Sequence, residues 1–215
     1  MSGTWRIALG ALLCLLFLAC SPPSESKKAA PAAAKDEPPP AVFHVNLATS
    51  KGPVVIEVRR EWAPRGADHF YELVKTGFYD GSRFFRVVRN FVVQFGISGD
   101  PQTNQLWASA MLPDDPVKEH NVKGTLTFAT RGPNTRSTQL FINLSDNRKS
   151  LDGHGFAPIG KVTAGMDVVE NLYSFYGDMP PMGQGPDPNL IQQRGAAYLE
   201  SHFPRLDFIK KAVIR

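Results

Sequence analysis

The chain has 215 residues, 42% of them hydrophobic and 20% charged, which suits one well-filled core. Its net charge of +4 is scattered in pairs such as Lys27-Lys28 and Lys210-Lys211, without the basic stripe and interleaved aromatics that a nucleic-acid surface needs. Both cysteines, Cys14 and Cys20, lie in the first twenty residues, which excludes a disulfide framework, a thiol nucleophile and a Cys-based zinc site from everything after them.

The N-terminus reads as an address. One charge, Arg6, precedes an apolar run from Ile7 to Ala19, which has signal-peptide length and falls short of the ~20 residues needed to span a bilayer. The run ends at Ala19-Cys20, so residues 1–20 read as a signal peptide closing on a lipobox-like cysteine, with Cys20 as the lipidation site. Phe17 and Leu18 depart from the usual lipobox, and a plain cleaved signal peptide or an uncleaved anchor is the alternative. Residues 21–41 hold six prolines, six alanines and no large apolar residue, so they read as a disordered, semi-stiff tether.

A folded domain is expected over residues 42–215. VFHVNLATSKGPVVIEVRR alternates, then becomes β-branched, and predicts two strands about a Lys51-Gly52-Pro53 turn. APRGADHFYELVKTGFYDG predicts a helix: Pro64 suits its first turn, Phe70, Leu73 and Val74 recur at helical spacing, and Gly77 is a stop. FFRVVRNFVVQFG, residues 84–96, predicts β structure broken at Arg89-Asn90. GTLTFAT and TQLFINLS are alternating strands around the loop RGPNTRS, and PIGKVTAG is a strand and turn. MDVVENLYSFY reads as a second helix, GDMPPMGQGPDPN as a Pro/Gly-rich loop, AAYLESHF as helix-like and LDFIKKAVI as the last strand. Many strands without βαβ alternation predict a mainly β, antiparallel barrel or sandwich with helices packed on it.

Most familiar chemistry is missing. The five histidines show no metal-ligand spacing. Ser137, Thr138 and Ser145 lack a nucleophile elbow, Gly183–Pro186 is not a phosphate loop, and the carboxylates form no obvious catalytic pair. What stands out is Arg86 and Gln94 inside an otherwise apolar run. In a tight hairpin turning at Arg89-Asn90, Arg86 would oppose Val93, and the two polar side chains would point to different faces. Only a bulge or a wider turn unites them.

Three segments together resemble the cyclophilin family of peptidyl-prolyl isomerases: FFRVVRNFVVQFG, with Gly99-Asp100 just after it; GTLTFATRGPNTRSTQLFINL, residues 124–144; and LDGHGFAPIGKVTAGMDVVENL, residues 151–172. The resemblance implies a closed, eight-stranded antiparallel β-barrel with two or three packed helices. It implies catalysed rotation of X-Pro bonds, with no cofactor and no metal. Arg86 matches the family's catalytic arginine, with Gln94 and Phe91 beside it. Val92, Phe141, Leu151 and Phe91 match the proline pocket, and Gln139 a groove glutamine. Ala129, Thr130 and Arg131 match the strand that pairs with substrate main chain, and Phe156 a groove position usually held by His or Tyr. Arg89 becomes a turn residue where the family usually has proline. Ser150 stands where animal cyclophilins carry tryptophan, which implies weak cyclosporin binding. PQTNQLWASAMLPDD replaces a Gly-rich loop, and residues 173–195 are longer than in compact members, without an evident purpose.

The expected partners are therefore proline-containing unfolded or exported polypeptides, and a membrane through the Cys20 lipid. The expected location is the periplasmic side of an outer membrane, as a monomer. A proline-segment binding or chaperone module with little catalysis is the alternative.

Overall fold

The structure is a computed structural model, and it describes residues 38–215. The expected signal peptide, the lipidation site at Cys20 and all but the end of the expected tether lie outside the described residues.

Among the described residues, eight strands form one antiparallel sheet: β1 Val42–Thr49, β2 Pro53–Arg59, β3 Arg86–Val88, β4 Val92–Phe95, β5 Thr125–Phe128, β6 Leu140–Asn143, β7 Pro158–Ala164 and β8 Ile209–Ile214. Their order across the sheet is β3-β4-β6-β5-β7-β2-β1-β8. The sheet curls into an open half-barrel, so the closed barrel expected from the sequence is a correction. Its edges, β3 and β8, do not pair along their lengths. Residues 81–84, ahead of β3, meet residues 207–209 at the start of β8: Arg83 bridges Phe208, the Phe84 N–H donates to the Asp207 carbonyl, the Ile209 N–H to the Ser82 carbonyl and the Gly81 N–H to the Ile209 carbonyl. A three-residue β3 is too short to continue that ladder.

Among the described residues, five helices accompany the sheet instead of two or three: α1 Pro64–Lys75, α2 Pro101–Trp107, α3 Arg148–Leu151, α4 Met166–Glu170 and α5 Pro188–His202, with a 3-10 turn at Asp152–His154. α1 forms as the pattern requires, burying Gly66, Ala67, Phe70, Leu73 and Val74 on one face. Its Ala63 cap offers no side-chain oxygen; Asp115 supplies one from afar, accepting the Arg65 and Gly66 N–H groups at 3.2 and 2.9 Å. α2 forms where the sequence pattern predicts no element, because Asp100 accepts the Gln102 and Thr103 N–H groups and Pro101 opens the first turn. α5 begins well before AAYLESHF, at Pro188, capped by Asp187, and kinks at Gly195. There the backbone passes Gly99 so closely that a Cβ would sit 2.1 Å from the Gly99 oxygen, and φ is +59°. The Ala196 N–H also donates to that oxygen, so α5 lies against the Gly99-Asp100 turn that starts α2.

The main core fills the concave side of the sheet, with Val45, Leu47, Ile56, Val58, Phe95, Phe128, Leu140 and Ile142 packed against α1. Strand alternation with both faces covered then explains why FFRVVRNFVVQFG is apolar apart from its few polar residues. Val93 and Phe95 face this core, while Val92 belongs to a second, smaller cluster with Phe141 and Leu151. Both faces of β4 and β6 are buried.

Candidate active site

The β3–β4 turn sets the site. Arg86 pairs with Gln94, Val87 with Val93 and Val88 with Val92, which leaves three residues, Arg89, Asn90 and Phe91, in the turn. The tight hairpin is therefore overturned. Asn90 takes φ +60°, a left-handed conformation that asparagine tolerates better than most residues, and the Phe91 N–H closes the turn onto the Val88 carbonyl at 3.0 Å. That extra residue puts Arg86 and Gln94 directly opposite each other on one face. The Arg86 Nη1 donates to Gln94 Oε1 at 3.0 Å, and Gln94 Nε2 donates to Gln139 Oε1 at 3.0 Å. The Arg86 guanidinium also lies over the Phe91 ring, 5.5 Å from its centroid.

Below this polar chain is an apolar floor. Val92, Phe141 and Leu151 are buried, with Phe91, Ala129 and Phe156 packed against them, and Phe141 meets Phe156 edge to face at 5.7 Å. A scaffold of buried amides holds it. Asn147 Nδ2 donates to the Phe91 carbonyl and to Asn143 Oδ1, and Asn121 Nδ2 donates to the Phe156 carbonyl and to Asp152 Oδ1. Asn121 and Asn143 are fully buried and every one of these amide bonds has a partner, so the scaffold is rigid.

The eleven residues that the resemblance matches to the catalytic groove all line one groove of about 970 Å³. These are Arg86, Phe91, Val92, Gln94, Ala129, Thr130, Arg131, Gln139, Phe141, Leu151 and Phe156. Within it, the Ala129 N–H is committed to the Gln139 carbonyl and the Arg131 N–H to Thr135 Oγ1. Gly96 sets the approach of β6: a Cβ there would lie 2.3 Å from the Thr138 oxygen, and φ is +100°. Among the described residues no group of three His, Asp or Glu could hold a metal, and no helix is long and apolar enough to cross a membrane.

Sequence reasoning missed the opposite wall. Met179, Pro180 and Met182 line the groove from the Pro/Gly-rich loop, with Asn189, Gln192 and Gln193 from the start of α5 and Asn104, Gln105 and Trp107 from α2. It also missed Asp178, which holds Arg86 in a two-pronged ion pair: Nε to Oδ1 at 2.7 Å and Nη2 to Oδ2 at 3.2 Å. Burial acts to raise the Asp178 carboxyl, but the Arg86 hydrogen bonds and charge and the Met179 N–H outweigh it and hold it below the usual carboxylate range. Ninety-two positions separate Asp178 from Arg86. The length and composition of the loop were the sole signal that it does something.

Comparison with known proteins gives the same outline. A peptidyl-prolyl cis-trans isomerase of Arabidopsis thaliana, CYP18-2, is 36% identical over 137 residues, covering 62% of this chain and 82% of the relative. A peptidyl-prolyl cis-trans isomerase of Acinetobacter baylyi is 33% identical over 153 residues, covering 69% and 79%. In fold, the chain is similar to the crystal structure of a Cryptosporidium parvum cyclophilin type peptidyl-prolyl cis-trans isomerase, with a TM-score of 0.58 at 21% identity, covering 81% of this chain and 98% of that one. Residues 44–187 match the family described as cyclophilin type peptidyl-prolyl cis-trans isomerase/CLD, and the chain belongs to that family.

Proposed function

We propose that this chain catalyses cis–trans rotation about X-Pro bonds in exported polypeptides, working from a lipid anchor at Cys20 on the periplasmic side of an outer membrane. The observation that carries the catalytic part is the placing of the Arg86 guanidinium across from Gln94 at the rim of an apolar pocket made by Phe91, Val92, Phe141 and Leu151.

Rotation about the peptide bond is opposed by about 20 kcal/mol because it breaks amide resonance. No covalent step is needed. A catalyst has to bind the twisted amide better than either planar isomer. The apolar floor receives the pyrrolidine ring and fixes one side of the bond. As the amide twists, the proline nitrogen regains a lone pair, and a guanidinium N–H held beside it meets that lone pair only in the twisted state. Guanidinium stays charged at every working pH, and its donors are held in a planar fork. Gln94 anchors the fork from below, and the Asn121–Asn143–Asn147 scaffold keeps the floor from reorganising during the turn.

The exported setting rests on the sequence of residues 1–41: a short apolar run, Ala19-Cys20, then a Pro- and Ala-rich stretch suited to hold a domain away from a bilayer. Proline-containing, incompletely folded chains are the proposed substrates, and the domain acts as a monomer. Protease-coupled isomerisation of a Xaa-Pro peptide tests the activity: a rate no faster than the spontaneous one refutes it. Radiolabelled fatty acid incorporated into the full-length chain and lost in Cys20→Ser tests the anchor; label retained in Cys20→Ser refutes it.

A further inference from the structure

The loop between α4 and α5 ends a long excursion by placing one carboxylate against the guanidinium, and the loop is folded around that carboxylate. The Asp178 carbonyl accepts the Gly185 N–H at 2.8 Å. A Cβ at Gly183 or Gly185 would come within 2.3 or 2.8 Å of the same oxygen, so the chain can double back there only as glycine. The Met179 N–H donates to Oδ1 at 2.7 Å. Asp178 is thus held by its own loop, independently of Arg86. The pair is largely shielded, with side-chain exposures of 13% for Arg86 and 22% for Asp178.

The geometry separates two possible roles for such an acid. A carboxylate projecting into the groove would occupy the substrate's place. Met179, Pro180 and Met182 line the groove, whereas Asp178 does not line it and reaches Arg86 through Nε and Nη2. Of the five guanidinium N–H donors, Asp178 takes one on Nε and one on Nη2, and Gln94 takes one on Nη1. Two donors are left over, on a group that still lines the groove. Gln94 alone supplies one contact, about which the guanidinium can swing. The two-pronged pair with Asp178 fixes its plane.

We propose that Asp178 is a positioning residue for the reaction: the turn over residues 178–185 serves as a clamp that fixes the Arg86 guanidinium plane with two N–H groups presented to the twisting amide. This rests on the isomerase reading above. It also gives the long loop a purpose, since its Gly-rich turn and Met179–Met182 wall are what deliver the carboxylate.

The test is steady-state isomerisation of a Xaa-Pro peptide by wild type, Asp178→Asn, Asp178→Glu and Arg86→Ala, with Phe175→Ala, an exposed residue of the same loop, as a control. Asp178→Asn is expected to lose about ten- to hundredfold in kcat while KM changes less than about threefold, because a misplaced donor harms the twisted state more than ground-state binding. Asp178→Glu is expected to recover part of the loss, and Phe175→Ala to match wild type. A second measurement needs no variant: the Arg86 Nε–H of the wild type should give a slowly exchanging NMR signal. A folded Asp178→Asn with kcat equal to or above wild type, or a rapidly exchanging Nε–H, overturns the inference. The two failures are distinguishable. An inactive wild type, or an Arg86→Ala as fast as wild type, overturns the isomerase reading and this inference with it. An active wild type disabled by Arg86→Ala but indifferent to Asp178→Asn overturns the clamp alone.

Discussion

Replacing Gln94 with alanine isolates what one buried amide contributes to catalysis. Gln94 is 5% exposed and spans the gap between the guanidinium and Gln139. Its removal deletes a hydrogen bond to a charged donor, worth about 1.5–3 kcal/mol, and a neutral one worth about 1 kcal/mol. If all of the charged bond acted on the twisted state, the rate would fall by about 10- to 150-fold. Asp178 still holds two prongs of Arg86, so the lower part of that range, about 10- to 30-fold in kcat/KM, is expected. The fold should persist, since the main core lies on the other face of the sheet. Gln94→Glu is a sharper probe. It keeps an acceptor for Arg86 but sets a second anion beside it and leaves Gln139 Oε1 facing an acceptor, so it should be at least as damaging. The assay is protease-coupled isomerisation in the cold, where spontaneous exchange is slow. A Gln94→Ala protein within twofold of wild type would refute the reasoning.

Other outcomes are expected outside the pocket. Asp115 is buried against Arg136 at 3.0 Å and caps α1, so Asp115→Ala should cost about 2–4 kcal/mol in urea unfolding, because it leaves the buried Arg136 with Asp114 at 3.4 Å as its remaining carboxylate and uncaps a helix; a cost below about 1 kcal/mol contradicts this. His69 is largely buried against Trp107 and Phe128, and burial, aided by the Arg136 charge, lowers its pKa to about 4. The unfolded chain takes up that proton near 6.5, so stability should be full above about 6.5 and fall as pH drops towards about 4, by up to roughly 3 kcal/mol. His69→Phe should flatten that slope, and an unchanged slope between pH 5 and 7 refutes the assignment. Ser150 is exposed and offers no indole, so cyclosporin should bind weakly; low-nanomolar binding contradicts this.

Much of the strand pattern was open to reading because period-two burial is a local property. β1 and β2 follow it, and α1 follows its helical counterpart. The pairing of Arg86 with Gln94 was not, because it depends on one backbone torsion. Asn90 at φ +60° adds a residue to the turn and moves Arg86 from Val93 to Gln94. The amide scaffold escaped notice for a different reason. Asn121 and Asn147 look like loop residues, and Asn143 like a polar position of a strand, until the fold buries them around the carbonyls of Phe91 and Phe156. α2 was hidden because seven residues carry little periodic signal, and its evidence was the Asp100-Pro101 cap. Openness of the sheet depends on whether β3 and β8 run long enough to pair, which no residue in either states alone. Asp178 is the extreme case: a single acid in a loop, given meaning by a guanidinium on another strand.

The central claim is that Arg86 stabilises a twisted prolyl amide. The most direct measurement compares X-Pro isomerisation by wild type and Arg86→Ala on the same peptide. Wild type should far outpace the spontaneous exchange of ~10–100 s, and Arg86→Ala should lose at least about a hundredfold in kcat/KM with peptide binding largely kept. Equal rates for the two proteins would contradict it.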